Sequence, residues 1–93
     1  MALMNEKNFD KIFGELANMP SIYELETACT HIEYKNNFII RRVWDIDTGE
    51  VYKHQIITLL ADDMALIVEK CALDNNKVVT YTDNWDIVTG VRG

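Results

Sequence analysis

Apolar residues recur along this chain with two periods, and each change of period marks an element. Phe9, Ile12, Phe13, Leu16 and Met19 follow spacings of three and four, which is one stripe of an amphipathic helix. Asn5 precedes the stripe and can accept from the unpaired amides of a first turn. Pro20 stops the helix, because the residue before a proline avoids the α region. From Phe38 to Leu59 the composition turns β-branched and aromatic on both sides of Asp47-Thr48-Gly49. Gly49 can take a positive φ there, so this stretch is a β-hairpin closed by a tight turn.

Between these two elements, Ser21 and Glu24 have the spacing of a capping box, which predicts a short helical turn over Ser21–Leu25. Thr27, Thr30 and Ile32 then favour a strand from about Glu26 to Tyr34. Asn36-Asn37 supplies a second tight turn, since asparagine tolerates the left-handed region. After the hairpin, Leu60, Met64, Ile67, Val68 and Cys71 again read as a helical stripe, with Asp62-Asp63 at its N-terminus and Asn75-Asn76 at its end. Val78, Val79 and Tyr81 give a further strand, Asp83-Asn84 a turn, and Trp85–Val88 a short fifth strand or a tail. The expected architecture is a single α+β domain over residues 1–93. Its order is α-β-β-β-α-β, an antiparallel meander with two helices packed on one face.

Hairpin register brings side chains together. With Glu50 opposite Ile46, Trp44 faces Tyr52, Arg42 faces His54 and Ile40 faces Ile56, all on one side. A two-residue turn at Asn36-Asn37 adds His31 to the row of Arg42 and His54. Trp44, Tyr52, Arg42, His54 and His31 are therefore the candidate binding residues, because Trp, Tyr and Arg anchor interfaces. Two helices cover only one sheet face. Either Trp44, Tyr52, Phe38 and Ile56 or Ile39, Val43, Val51 and Ile57 would then stay open, which predicts a homodimer.

Composition narrows the function classes. Nine basic against fifteen acidic residues give a net charge of −6 and a pI of about 4.7, which repels phosphate and argues against direct nucleic-acid binding. No apolar run reaches the length of a membrane span. Two cysteines and no cationic leader predict a cytoplasmic protein with both thiols reduced.

Catalytic and metal chemistry find little support. Asp47-Thr48-Gly49 resembles the active-site triplet of aspartic proteases over three residues, but Asp45-Ile46 precedes it and Glu50 follows, and turn chemistry asks for the same residues. Asp45-x-Asp47-x-Gly49 departs from the calcium-loop spacing, with Glu50 where the glycine belongs and Ile56 where the glutamate belongs. Cys29, His31, His54 and Cys71 lack paired zinc spacing. The order of elements resembles the double-stranded-RNA-binding fold, yet Asp62-Asp63 stands where that fold needs a basic cluster.

The expectation is a small acidic, non-enzymatic module, with no cofactor or metal, that binds a protein with a basic surface. Inhibitors and immunity or anti-defence factors of phage and mobile-element type have this character. The alternatives are a small-molecule-binding module with its pocket on the sheet face and, more weakly, a His-dependent enzyme.

Overall fold

The computed structural model describes residues 5–60 and 63–84. Helix α1 spans Glu6–Ala17, and Asn5 caps it by accepting from the Asn8 amide at 2.9 Å. Phe9, Phe13 and Leu16 are its buried face, while Ile12 sits at the solvent margin of the same stripe. Six strands follow: β1 Tyr23–Glu26, β2 Thr30–Tyr34, β3 Ile39–Trp44, β4 Val51–Leu59, β5 Met64–Cys71 and β6 Lys77–Asn84. They lie in sequence order in one sheet, each antiparallel to its neighbours. The fold is mostly sheet, and among the described residues no helix is long and apolar enough to cross a membrane.

The expected second helix is replaced by β5, so the described chain has one α-helix and not two. Met64–Cys71 is hydrogen-bonded between β4 and β6. Ala65 and Ile67 point to one face and are fully buried, and Val68 packs on the other face against the cluster under α1. A strand covered on both sides carries a nearly continuous apolar run, and such a run satisfies helical spacing as well as strand spacing. Asp63 takes φ 61° in the turn before β5, so it is not a helix cap; Asp62 lies outside the described residues. Leu60, expected in the buried stripe, is exposed.

Ser21–Leu25 is also not helical. β1 begins at Tyr23, and the expected strand over Glu26–Tyr34 is broken at Thr27–Cys29, where the Thr27 amide donates to the Thr30 carbonyl at 2.8 Å. Pairing with β2 gives the backbone groups of Tyr23–Glu26 partners that a single helical turn would leave unmade. The other turns are formed where asparagine and glycine stand. Lys35 donates to the Phe38 carbonyl across Asn36-Asn37, and Gly49 takes φ 76°. A 3-10 turn at Ala72–Asp74 leads to Asn75 and Asn76, both left-handed at φ 57° and 59°. The asparagines therefore turn one strand into the next rather than ending a helix. Asp83-Asn84, expected as a turn, instead continues β6 opposite Ala65 and Met64, and Trp85–Val88 lies outside the described residues.

These left-handed asparagines make a local prediction. Asn76→Val should destabilise by roughly 1–2 kcal/mol, because a β-branched side chain clashes at positive φ. Asn76→Gly should be close to neutral. Urea unfolding of the two variants would check the difference, and equal midpoints would mean that the turn is not left-handed in solution.

Each sheet face has its own core. Under α1, Ile40 and Ile56 pack against Phe9, Phe13 and Leu16, with Phe38, Val68 and Val78 at the margin. On the opposite face, Ile32, Ile39, Ile57, Ala65 and Ile67 form a second buried cluster, flanked by Leu25 and Tyr34. The expected open apolar face is therefore not found at these positions: Ile56 lies under the helix, and Ile39 and Ile57 are buried on the other side.

Candidate functional site

The row expected from the hairpin register is present. His31 stands opposite Arg42, Arg42 opposite His54, and His54 opposite Lys70, across four strands. It lies on the face carrying α1. The Phe13 ring meets the His54 ring edge-on at 5.0 Å, and the Arg42 guanidinium sits 5.2 Å from its centroid. Burial, reinforced by the positive charges of Lys70 and Arg42, pushes the His54 pKa down, while Asp10 opposes the shift. His54 is half-buried, its ring packed against Phe13.

Trp44 and Tyr52 are not paired as expected. A β-bulge between Val43 and Trp44 puts Trp44 opposite Val51, leaving Tyr52 as the extra residue of β4. The Trp44 indole donates to the Ala28 carbonyl at 3.0 Å, and Tyr52 contacts the Lys53 ammonium, 6.0 Å from its ring centroid. The structure thus brings His31, Arg42 and His54 into one row but does not pair Trp44 with Tyr52.

An ion-pair network that sequence spacing did not reveal extends this row. The Lys35 ammonium donates to Glu33 Oε1 at 2.8 Å, Ser21 Oγ at 2.9 Å and the Met19 carbonyl at 2.7 Å. Its side chain is 1% exposed. Arg42 Nη1 donates to Glu33 Oε2 at 2.5 Å, and His31 Nε2 is 2.9 Å from Glu24 Oε1. Burial pushes the Glu33 carboxyl up, but hydrogen bonds from Lys35, Arg42 and Ser21 outweigh it and hold the pKa at about 2. The signal available in the sequence was a pair of opposite charges, Glu33 and Lys35, inside an apolar strand region. Ser21 serves this network and not a helix N-terminus.

A second polar row crosses the other face. Arg41 donates to Gln55 Oε1 at 2.6 Å, and Gln55 Nε2 donates to Glu69 Oε1 at 2.7 Å and Tyr81 Oη at 3.2 Å. The Tyr81 hydroxyl donates to Glu69 at 2.9 Å; burial and this bond push its pKa up to about 12. Burial also lowers the pKa of Arg41. Glu69 and Tyr81 join this row because Met64–Cys71 is a strand and not the expected helix.

Asp47-Thr48-Gly49 is a turn. Asp45 Oδ1 accepts from the Asp47 and Thr48 amides at 2.8 and 3.1 Å, so the neighbouring carboxylate is spent on backbone. Among the described residues no group of three or more His, Cys, Asp or Glu side chains could hold a metal, and Cys29 and Cys71 are not bridged.

Exposed apolar side chains stand at both ends of the sheet, Ile46 and Leu73 on the turns at one end and a larger group beside a cavity at the other. Register places the start of β1, the Asn36-Asn37 turn and the end of β4 together there. A cavity of about 500 Å³ lies at this end, lined by Tyr34, Phe38, Ile39, Ile57 and Leu59 among others, with Asn36 and Asn37 at the turn. Large apolar side chains stand exposed at the same end: Ile22 at 71%, Tyr23 at 57% and Leu59 at 53%, with Met19 and Leu60 less so. No protein-family model, curated protein or solved structure matches this chain.

Proposed function

We propose that this protein is a small non-enzymatic interaction module, of inhibitor or immunity-factor type, that binds another protein through the apolar end of its sheet. The observation that carries this reading is the contrast between that end and the two faces. Buried charge on both faces is already engaged within the chain, while Ile22, Tyr23 and Leu59 remain in water beside a cavity. Apolar side chains grouped in this way mark sites of association. The net charge of −6 favours a partner with a basic surface and speeds encounter with it. No cofactor or metal is called for.

A double substitution tests the reading. Ile22→Asp with Leu59→Asp should leave melting nearly unchanged, since both side chains are already exposed, and should abolish capture of a partner that the wild type retains from native lysate. Equal capture by both forms would refute it.

The cavity supports a second reading, a small-molecule module, because about 500 Å³ falls in the range of ligand sites. In this reading the ligand would sit at the sheet end, beside Tyr34, Phe38 and Leu59, and not at the Trp44, Tyr52, His54 and Arg42 positions. Titration with a fragment library separates the two. Shifts confined to Tyr34, Phe38 and Leu59 would favour the ligand, and none would favour the protein partner.

A further inference from the structure

The two edges of the sheet are built differently. β1 is four residues long and carries Glu24 and Glu26 on one face, so a second copy approaching it would meet like charge. β6 is eight residues long, and among the described residues it pairs on one side only, with β5. Its register with β5 runs unbroken from Met64↔Asn84 to Cys71↔Lys77. The centre, Val78–Thr82, has no charge, no proline and no bulge. Regular edges of this kind accept another strand unless a device prevents it.

The charges of β6 stand at its two ends, and their placement is self-complementary. Lys77 and Asp83 are each three positions from Thr80. We propose that a second copy of this chain adds antiparallel to β6, with the two-fold axis at Thr80. Lys77 of each copy then lies opposite Asp83 of the other.

Register follows from backbone geometry. Antiparallel strands pair outward-facing residues with outward-facing residues, so a two-fold pairing must be centred on a residue and keeps paired side chains on one face. Centring on Thr80 sets Lys77 against Asp83 and Val79 against Tyr81 on the face away from α1, and Val78 against Thr82 on the other. A β-branched residue facing an aromatic one and opposite charges facing each other are favourable cross-strand pairs. Centring on Val79 sets Lys77 against Tyr81, and centring on Tyr81 sets Asp83 against Val79; both lose the ion pairs. The two sheets become one continuous sheet, and the contact is symmetric. This association does not depend on partner binding at the apolar end. It also differs from a dimer formed through a sheet face, which the buried Ile39 and Ile57 disfavour.

Charge reversal tests both the edge and the register. The wild type should sediment as a dimer at micromolar concentration. Lys77→Glu alone and Asp83→Lys alone should each weaken the dimer about tenfold, because symmetry installs two like-charge pairs in place of two ion pairs. The double variant Lys77→Glu with Asp83→Lys should recover the wild-type association. Should a reversal disturb folding, Thr80→Cys in a chain with Cys29→Ser and Cys71→Ser gives a second reading, since oxidation should link the two copies covalently across the axis. A wild type that stays monomeric, a dimer unmoved by both single reversals, or a double variant no better than the singles would overturn the proposal.

Discussion

Phe13→Ala is expected to destabilise the protein by about 3–5 kcal/mol, a large share of the total stability of a domain this size. Phe13 is 8% exposed and serves three contacts at once. Its ring stacks on Phe9 at 5.7 Å, receives His54 edge-on and carries the Arg42 guanidinium on its face. α1 meets the sheet mainly through Phe9, Phe13 and Leu16, so removing the central ring leaves a cavity and opens the polar row beneath it to water. Ile67→Ala should cost about 2–5 kcal/mol for the simpler reason that a fully buried side chain on the central sheet is lost. Chemical unfolding measures both, and a cost below about 1 kcal/mol at Phe13 would mean that α1 is not docked as described.

Lys35→Met is the second large expected effect, roughly 3–5 kcal/mol. It leaves the Glu33 carboxylate, the Ser21 hydroxyl and the Met19 carbonyl without their shared donor. Three parts of the chain meet on that one ammonium: the segment after α1, β2 and the turn into β3. The same network sets a pH dependence. Glu33 has its folded pKa lowered to about 2, below its value in the unfolded chain. Its contribution is thus fully present above the ordinary carboxylate range and is lost as pH falls from about 4.5 through about 2. Without Lys35 the carboxyl loses its leading stabilising hydrogen bond, so the acid transition should move to higher pH. Thermal melts of wild type and Lys35→Met across that window would show it. Parallel pH profiles would place the stabilising charge elsewhere.

What could be read from sequence follows the strength of local chemistry. α1 was legible at both ends, because Asn5 and Pro20 act on backbone groups a few bonds away and the Phe9–Leu16 stripe is covered on one side only. The β3–β4 hairpin was legible down to the pairing of Arg42 with His54 and Ile40 with Ile56. It failed at Trp44, because a bulge inserts one residue without any compositional mark. β5 failed for a different reason. Strands clear themselves from helices by alternation, and Leu66-Ile67-Val68 has none, since its two faces are buried in different cores. With a helix expected over Met64–Cys71, sequence spacing does not bring Glu69 and Tyr81 into a row with Arg41 and Gln55. Of the candidate site residues, His31, Arg42 and His54 were rightly set side by side. The packing of Arg42 and His54 against Phe13 depends on where α1 crosses the sheet, which no local pattern encodes. The apolar sheet end was not foreseen, because it joins residues from Met19 to Leu60 that only the full register brings together.

Partner binding at this end is a proposal that hydrogen exchange on the complex can decide. With a captured partner bound, amides of residues 19–25, 34–39 and 57–60 should gain protection, while the Asp45–Glu50 turn and the Ala72–Asn76 turn should exchange as in the unbound protein. Protection confined to those two turns, with the apolar end unchanged, would contradict the account.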